Sequence, residues 1–345
     1  MSGLLKKQSM NKYRLIIFGD TWDVYQVAHK EWIDNPAIVY ISSFRPKGLL
    51  GHLQLLQFSP VLNSMFPIPG KSLWNEYYLK DVTDTNICFL ITEHWLRIEC
   101  GIKLLPFLRS HYPQSRIVCF TQDIISTIRD LYSHKTIDVD YIKKYTDLFI
   151  SYDKYDAQKY NIDYHPTVFS ALDIDVSNAG CKYDLFFLGR DKGRLPLLVD
   201  ICRKAAKRGL RCKMILIEVP KSERIVCEGI DYPDSYITYQ DNLKYCASSK
   251  CVVEVLQHDA TSPTFRTWEA IMLNKKLITN SDSVKESEVY DSQYISVFHD
   301  ITDFDWTFVE RDNTFRQGNP YQKLIQPDSL VKFIEDKLHI AIKRS

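Results

Sequence analysis

The sequence has no run approaching the roughly twenty apolar residues that a membrane-crossing helix requires, no CxxC pair, and no cysteines and histidines at metal-ligand spacing. The first absence argues against a spanning segment, and the others argue against a structural zinc site. The nine cysteines are scattered, odd in number and partly inside apolar runs (Cys88, Cys119), the pattern of reduced core thiols. Charge of one sign is also missing: 44 Lys and Arg against 43 Asp and Glu leave a formal +1. Nucleic-acid binders carry a basic bias, so no nucleic-acid partner is expected. The opening MSGLLKKQSMNKYR lacks a long apolar core and a small-residue cleavage site, so it does not read as a signal peptide. These readings predict a cytoplasmic protein, with peripheral contact at the inner face of a membrane left open.

Several catalytic signatures are absent too. Neither GxxxxGK[ST] nor GxGxxG occurs, which excludes a Walker loop and a conventional dinucleotide fingerprint. No HExxH, DxD-type pair or Cys/His nucleophile pattern stands out. The carboxylate pairs Asp153/Asp156 and Asp303/Asp305 fall in helical or weakly patterned text. No metal and no resident cofactor are expected.

What is present is an alternation. With 345 residues, 45% of them apolar, the chain can fill two ordinary domains. Apolar runs at 14–18, 38–42, 86–91, 116–120 and 147–151 predict buried strands with helical text between them. A polar stretch at 171–182 reads as a linker. Strands at 183–188, 212–217, 237–239, 251–256, 276–279 and 294–298 and a closing helix over 327–342 predict a second α/β unit. The expected domains are therefore 1–170 and 183–345, each a mainly parallel, Rossmann-like sheet covered on both faces.

Polar residues collect after the strands of the first half, at Asp20, Glu93-His94 and Gln122-Asp123. Carboxyl ends of parallel strands are where open α/β sheets take ligands. Glu93, His94 or Asp20 could serve as a general base, with Asp123 a rival. In the second half, Gly189, Arg190, Lys192 and Arg194 form a Gly-bearing, cationic turn between strand and helix. Residues 257–280, QHDATSPTFRTWEAIMLNKKLITN, read as loop, helix and strand, with Ser262 as N-cap and Pro263 first in the helix. Phe265, Trp268 and Met272 give that helix one apolar face. Hydroxyls and Arg266 at a helix N-terminus, with Glu269 a turn further in, suit a nucleotide diphosphate: N–H groups and a cation for phosphates, a carboxylate for ribose hydroxyls.

Those segments carry a resemblance. From about Tyr183 to Asn280, the Gly-Arg turn and VVEVLQHDATSPTFRTWEAIMLNKKLIT resemble GT-B glycosyltransferases of bacterial polysaccharide and lipopolysaccharide biosynthesis. The resemblance implies two Rossmann-like domains facing across a cleft, with a nucleotide-sugar donor on the C-terminal one and a glycan or lipid-linked acceptor on the other. It places Gly189, Arg190, Lys192, Arg194, Thr264 and Arg266 at the diphosphate and Glu269 at the ribose. The chain departs from the two-glutamate E-x7-E pattern, since Thr261 stands where the first glutamate would. Two other readings stay open: a non-catalytic two-lobed scaffold, and a phospho-alcohol transferase using a cytidine nucleotide.

Overall fold

The computed structural model describes residues 12–42, 48–66, 68–172, 180–256, 263–311 and 321–344. Cys251–Glu254 and the other long apolar runs become parallel strands buried on both faces, as continuous Val/Ile/Leu-rich text requires. In chain order the strands are β1 (Lys12–Phe18), β2 (Val39–Ile41), β3 (Ile87–Thr92), β4 (Arg116–Thr121), β5 (Leu148–Ser151), β6 (Asp163–Tyr164), β7 (Tyr183–Arg190), β8 (Cys212–Ile217), β9 (Ile230–Asp231), β10 (Ser249–Glu254), β11 (Lys276–Thr279), β12 (Ile295–Val297) and β13 (Ala341–Ile342). The chain divides into two compact units, Met1–Ser170 with Gln326–Ser345, and Ala171–Ile325.

In the first unit the sheet runs β13-β1-β3-β4-β5-β6, with β2 also on β1. Alternation along the strands splits the core between its faces. Ile16, Phe18, Phe89, Ile91 and Cys119 pack toward Trp95 and the helix Leu104–His111. Leu15, Ile17, Leu90 and Val118 pack toward Trp32 and the closing helix Pro327–Leu338. That closing helix was expected to complete the second domain. It instead buries Leu330, Val331 and Ile334 in the first core, and β13 then pairs in parallel with β1 through Lys12↔Ala341 and Tyr13↔Ile342. The first unit's unfilled sheet face and free strand edge decide this, and a two-residue strand leaves no sequence signal. The expected linker lies in part (173–179) outside the described residues.

The second unit runs β12-β11-β10-β7-β8-β9, again all parallel. Its core joins Leu185, Phe187, Met214 and Val253 to the helix Leu195–Ala206. The expected strand at 237–239 does not form. Thr238 caps the helix Tyr239–Ala247 instead, its hydroxyl accepting from Asp241 N at 3.1 Å, and β9 supplies the edge.

Each sheet has one place where successive connections leave in opposite directions. In the first unit it lies between β1 and β3, in the second between β7 and β10. Such switch points open a crevice beyond the strands' carboxyl ends.

Candidate functional site

At the first switch point, Asp20 follows β1 and Glu93-His94 follow β3. Asp20 Oδ1 accepts from Thr21 N at 2.6 Å and Trp22 N at 3.0 Å. Its other oxygen lies 3.5 Å from His94 Nδ1, with side chains 7% and 23% exposed. Burial lowers the pKa of His94, the Asp20 carboxylate opposes this, and Arg97 adds to it. The imidazole is therefore neutral near pH 7, the form that accepts a proton. The turn itself is held from behind. Tyr40 Oη accepts from Asp20 N at 3.1 Å and meets His29 Nδ1 at 2.9 Å, and Trp95 Nε1 donates to Gly19 O at 2.8 Å.

Glu93 is a different case. It is buried, accepting from Tyr25 Oη at 2.6 Å and Gln122 N at 3.1 Å. Burial pushes its pKa up to about 7. These bonds tie the ends of β3 and β4 together and turn its carboxylate inward. Asp123 is paired with Arg97 at 3.0 Å. Of the expected bases, Asp20 and His94 are brought together, while Glu93 joins the network beneath them.

At the second switch point the turn after β7 is left-handed at Lys192 (φ 43°) and Gly193 (φ 81°), and Asp191 caps the next helix by accepting from Leu195 N at 2.8 Å. The four expected phosphate residues of this turn separate. Arg190 reaches the exposed Glu218, Nε to Oε1 3.0 Å, and Lys192 is exposed. A Cβ on Gly189 would stand 3.3 Å from Arg194 Nη1. Arg194 turns inward over Phe187, its Nη1 donating to Arg190 O at 3.2 Å. Among the described residues, nothing accepts from its buried Nε. Burial lowers the Arg194 pKa, Glu254 opposes the change, and Arg266 reinforces it.

Glu254 ends β10, the strand across the switch point, and is 1% exposed. Its Oε1 accepts from Thr264 N, Thr264 Oγ1 and Thr267 Oγ1 at 2.9, 2.7 and 3.1 Å. Its Oε2 accepts from Thr279 Oγ1 at 2.6 Å. The carboxylate thus pins the start of the helix Phe265–Met272. That helix begins two residues later than expected, with Thr264 as its cap, its hydroxyl accepting from Arg266 N at 3.2 Å. Pro263 precedes the helix, and Ser262 lies outside the described residues.

Arg266 Nη1 donates to Asn242 Oδ1 at 2.6 Å and to Glu269 Oε2. Asn242 Nδ2 donates to Glu269 Oε1 at 3.1 Å. Glu269, expected to hold a ribose, is 0% exposed. Burial raises its pKa and Arg266 opposes the rise. Its carboxylate orients Arg266 inside the domain and does not present itself to a ligand. The sequence reading missed Glu254 and Asn242. Glu254 had a signal, as the one charged residue in the apolar run CVVEVL. Asn242 had none. Among the described residues, no three His, Cys, Asp or Glu side chains gather as a metal requires.

No protein-family model matches the chain, and no curated protein sequence matches it. Solved structures do. Trehalose-6-phosphate synthase OtsA superposes with a TM-score of 0.52 at 11% identity, over 96% of this chain and 100% of that one. A putative UDP-N-acetylglucosamine 2-epimerase from Listeria monocytogenes does so at 0.52 and 10%, over 95% and 97%. The fold is GT-B. At these identities the likeness is one of architecture, two parallel-sheet α/β domains. No helix among the described residues is long and apolar enough to cross a membrane.

Proposed function

We propose that the protein is a glycosyltransferase. It moves a sugar from a nucleotide-diphosphate donor to a glycan or lipid-linked acceptor in cell-surface polysaccharide biosynthesis. The observation that carries the reading is the pair of guanidinium groups at the second switch point. Arg194 has a buried donor with no acceptor among the described residues, and Arg266 is fixed by Asn242 and Glu269. As the glycosidic bond to the donor breaks, negative charge accumulates on the diphosphate. Preorganised cations at that point lower the barrier, because they need not reorganise as the charge appears. The helix Phe265–Met272 adds the partial positive charge of its N-terminus. The UDP-sugar in the name of the Listeria fold relative supports the same donor class.

In the first domain His94 takes the proton of the acceptor hydroxyl and Asp20 stabilises the imidazolium that forms. The pair is 3.5 Å apart, and general-base assistance of this kind contributes about 10²–10⁴ in rate.

Thermal unfolding against a panel of nucleoside diphosphates tests the donor assignment. A ligand at 100 times its dissociation constant adds about 2.7 kcal/mol. One base should shift the melting temperature, and Arg266→Ala or Arg194→Ala should abolish the shift while the variant remains folded. A well-folded wild type that responds to none of the panel overturns the reading. A response confined to cytidine nucleotides, with a phosphodiester in the product, would favour the phospho-alcohol transferase.

A further inference from the structure

Between β2 and β3 the first unit carries a helical excursion whose polarity is inverted. The helix Leu49–Gln57 buries Gly51 and Gln54 and exposes its leucines. Gln54 points inward, its Nε2 donating to Tyr78 Oη at 2.7 Å. Leu49, Leu50, Leu53 and Leu56 are 76%, 52%, 50% and 55% exposed. The next helix, Pro60–Met65, begins after Ser59, whose hydroxyl accepts from Leu62 N. Met65 and Phe66 at its end are 65% and 74% exposed. Of the seventeen large hydrophobic side chains exposed among the described residues, ten lie between Leu49 and Leu73. Leu50, Leu53, Leu56, Ile68, Leu73 and Trp74 line a groove of about 500 Å³. A soluble surface does not retain such a patch without a partner for it.

The charge pattern says what kind of partner. Residues 35–75 contain no Asp or Glu, whereas 41 residues at the chain's average of 43 in 345 would hold about five. Protein–protein interfaces surround an apolar centre with a polar rim that exchanges hydrogen bonds of both senses. This face instead offers leucines and bordering aromatic rings, Trp74 and Tyr77 at 5.5 Å between centroids, with Lys80 over Tyr77 at 4.9 Å. Apolar side chains at the centre, amphipathic rings and a cation beside them, and carboxylates confined to Glu76 and Asp81 at the edge of the excursion match the interface of an anionic bilayer.

We propose that this excursion docks the protein on the surface of an anionic lipid bilayer, inserting Leu49, Leu50, Leu53 and Leu56 among the acyl chains. The docking stands on the surface alone. That the sugar acceptor is therefore lipid-linked rests on the glycosyltransferase reading.

The test is flotation of the full chain with vesicles of phosphatidylethanolamine and phosphatidylglycerol, beside vesicles of phosphatidylcholine alone. The wild type should float with the anionic vesicles, and Leu53→Glu/Leu56→Glu should lower the bound fraction by at least about tenfold, the value of burying a single leucine. Leu49→Glu provides an independent variant on the same face. Both substitutions sit at exposed positions, so the melting temperature and the nucleotide-induced shift should be unchanged. A wild type that stays in the bottom fraction, or variants that float as well as it does, overturn the proposal. So does a wild-type dimer that Leu53→Glu/Leu56→Glu converts to monomer, which would make the face a contact between copies. Flotation without any nucleotide shift would sink the transferase reading and leave the docking intact.

Discussion

Replacing Glu254 separates its role in the fold from simple burial. The carboxylate takes four hydrogen bonds, three at Oε1 and one at Oε2. Glu254→Ala leaves one backbone N–H and three hydroxyls facing a cavity beside two guanidinium groups. Removing one partner of a buried charged network costs about 3–5 kcal/mol. For a domain of this size each kcal/mol is worth about 2–4 °C, so the melting temperature should fall by roughly 6–20 °C. Glu254→Gln behaves differently because its two ends do not face equivalent donors. The backbone N–H of Thr264 cannot reverse, so the amide oxygen must stay on that side. The Thr279 hydroxyl can rotate and accept from the new amide nitrogen. Every bond can be remade in the neutral form, and the loss should be only about 1 kcal/mol. Differential scanning calorimetry of wild type and both variants at pH 7.5 decides the matter. Equal losses in Ala and Gln would show that charge, and not hydrogen-bond satisfaction, is what the site requires. A loss under about 1 kcal/mol in Glu254→Ala would refute the network as drawn.

Three further outcomes are expected. Burial pushes the Glu99 carboxyl up to about 8 from an ordinary 4.5, so its contribution to stability is fully present below pH 4.5 and is lost as pH rises through about 8; Glu99→Gln should therefore gain roughly 3–5 kcal/mol relative to wild type between pH 5 and pH 9 in urea melts, and a gain independent of pH would refute the assignment. Asp20→Asn should leave nucleotide-induced stabilisation intact while lowering kcat by about 10²-fold or more, and transfer assays showing an unchanged kcat would remove the Asp20–His94 pair from the chemistry. A Cβ at position 19 would lie 2.1 Å from the Tyr40 ring, which is fastened to His29 and Asp20, so Gly19→Ala should cost about 1–3 kcal/mol and lower kcat with it; a variant as stable and active as wild type would show that Tyr40 does not position Asp20.

How much of this was legible in the sequence follows from how each element is held. The strands β1, β3, β4, β7, β8 and β10 are buried on both faces, so each appears as an apolar run, and all were expected close to their observed bounds. The strands β6, β9 and β13 have two residues each and are made by the neighbour they pair with. The helical text between β1 and β2 forms two short helices, Asp23–Ala28 and Lys30–Ile33, broken at His29, whose ring is buried against Tyr40 and Gln122. Periodicity cannot report a break that a tertiary hydrogen bond imposes. At the site, Arg266 and Glu269 were correctly placed on one helix, but three-residue spacing fits equally well with a carboxylate offered to a ligand and one turned onto its own arginine. Arg190, Lys192 and Arg194 are equivalent as text. Only the left-handed turn at Lys192-Gly193 decides that Arg194 comes back over the sheet while Arg190 leaves toward Glu218.

The two switch points divide the chemistry by sign. In the first unit the polar groups beyond the strands are a carboxylate and an imidazole kept neutral, which can take a proton but would not attract a diphosphate. In the second they are two guanidinium groups, which attract a diphosphate but would depress the pKa of any base beside them. One crevice could not do both jobs well, because the field that stabilises a leaving anion also weakens a base. On the glycosyltransferase reading the second unit needs its cations held still: Glu269 holds Arg266 directly and Glu254 pins the start of the helix that carries it, at the expense of desolvating two carboxylates. Burial is unfavourable for both, as the raised pKa of Glu269 records. A purely structural domain would gain by replacing such groups with apolar ones of similar volume. Their presence beside Arg194 and Arg266, where a mobile arginine would have to be ordered anew by each ligand, fits the proposed diphosphate binding, which preorganisation would favour, and is not required by fold stability alone.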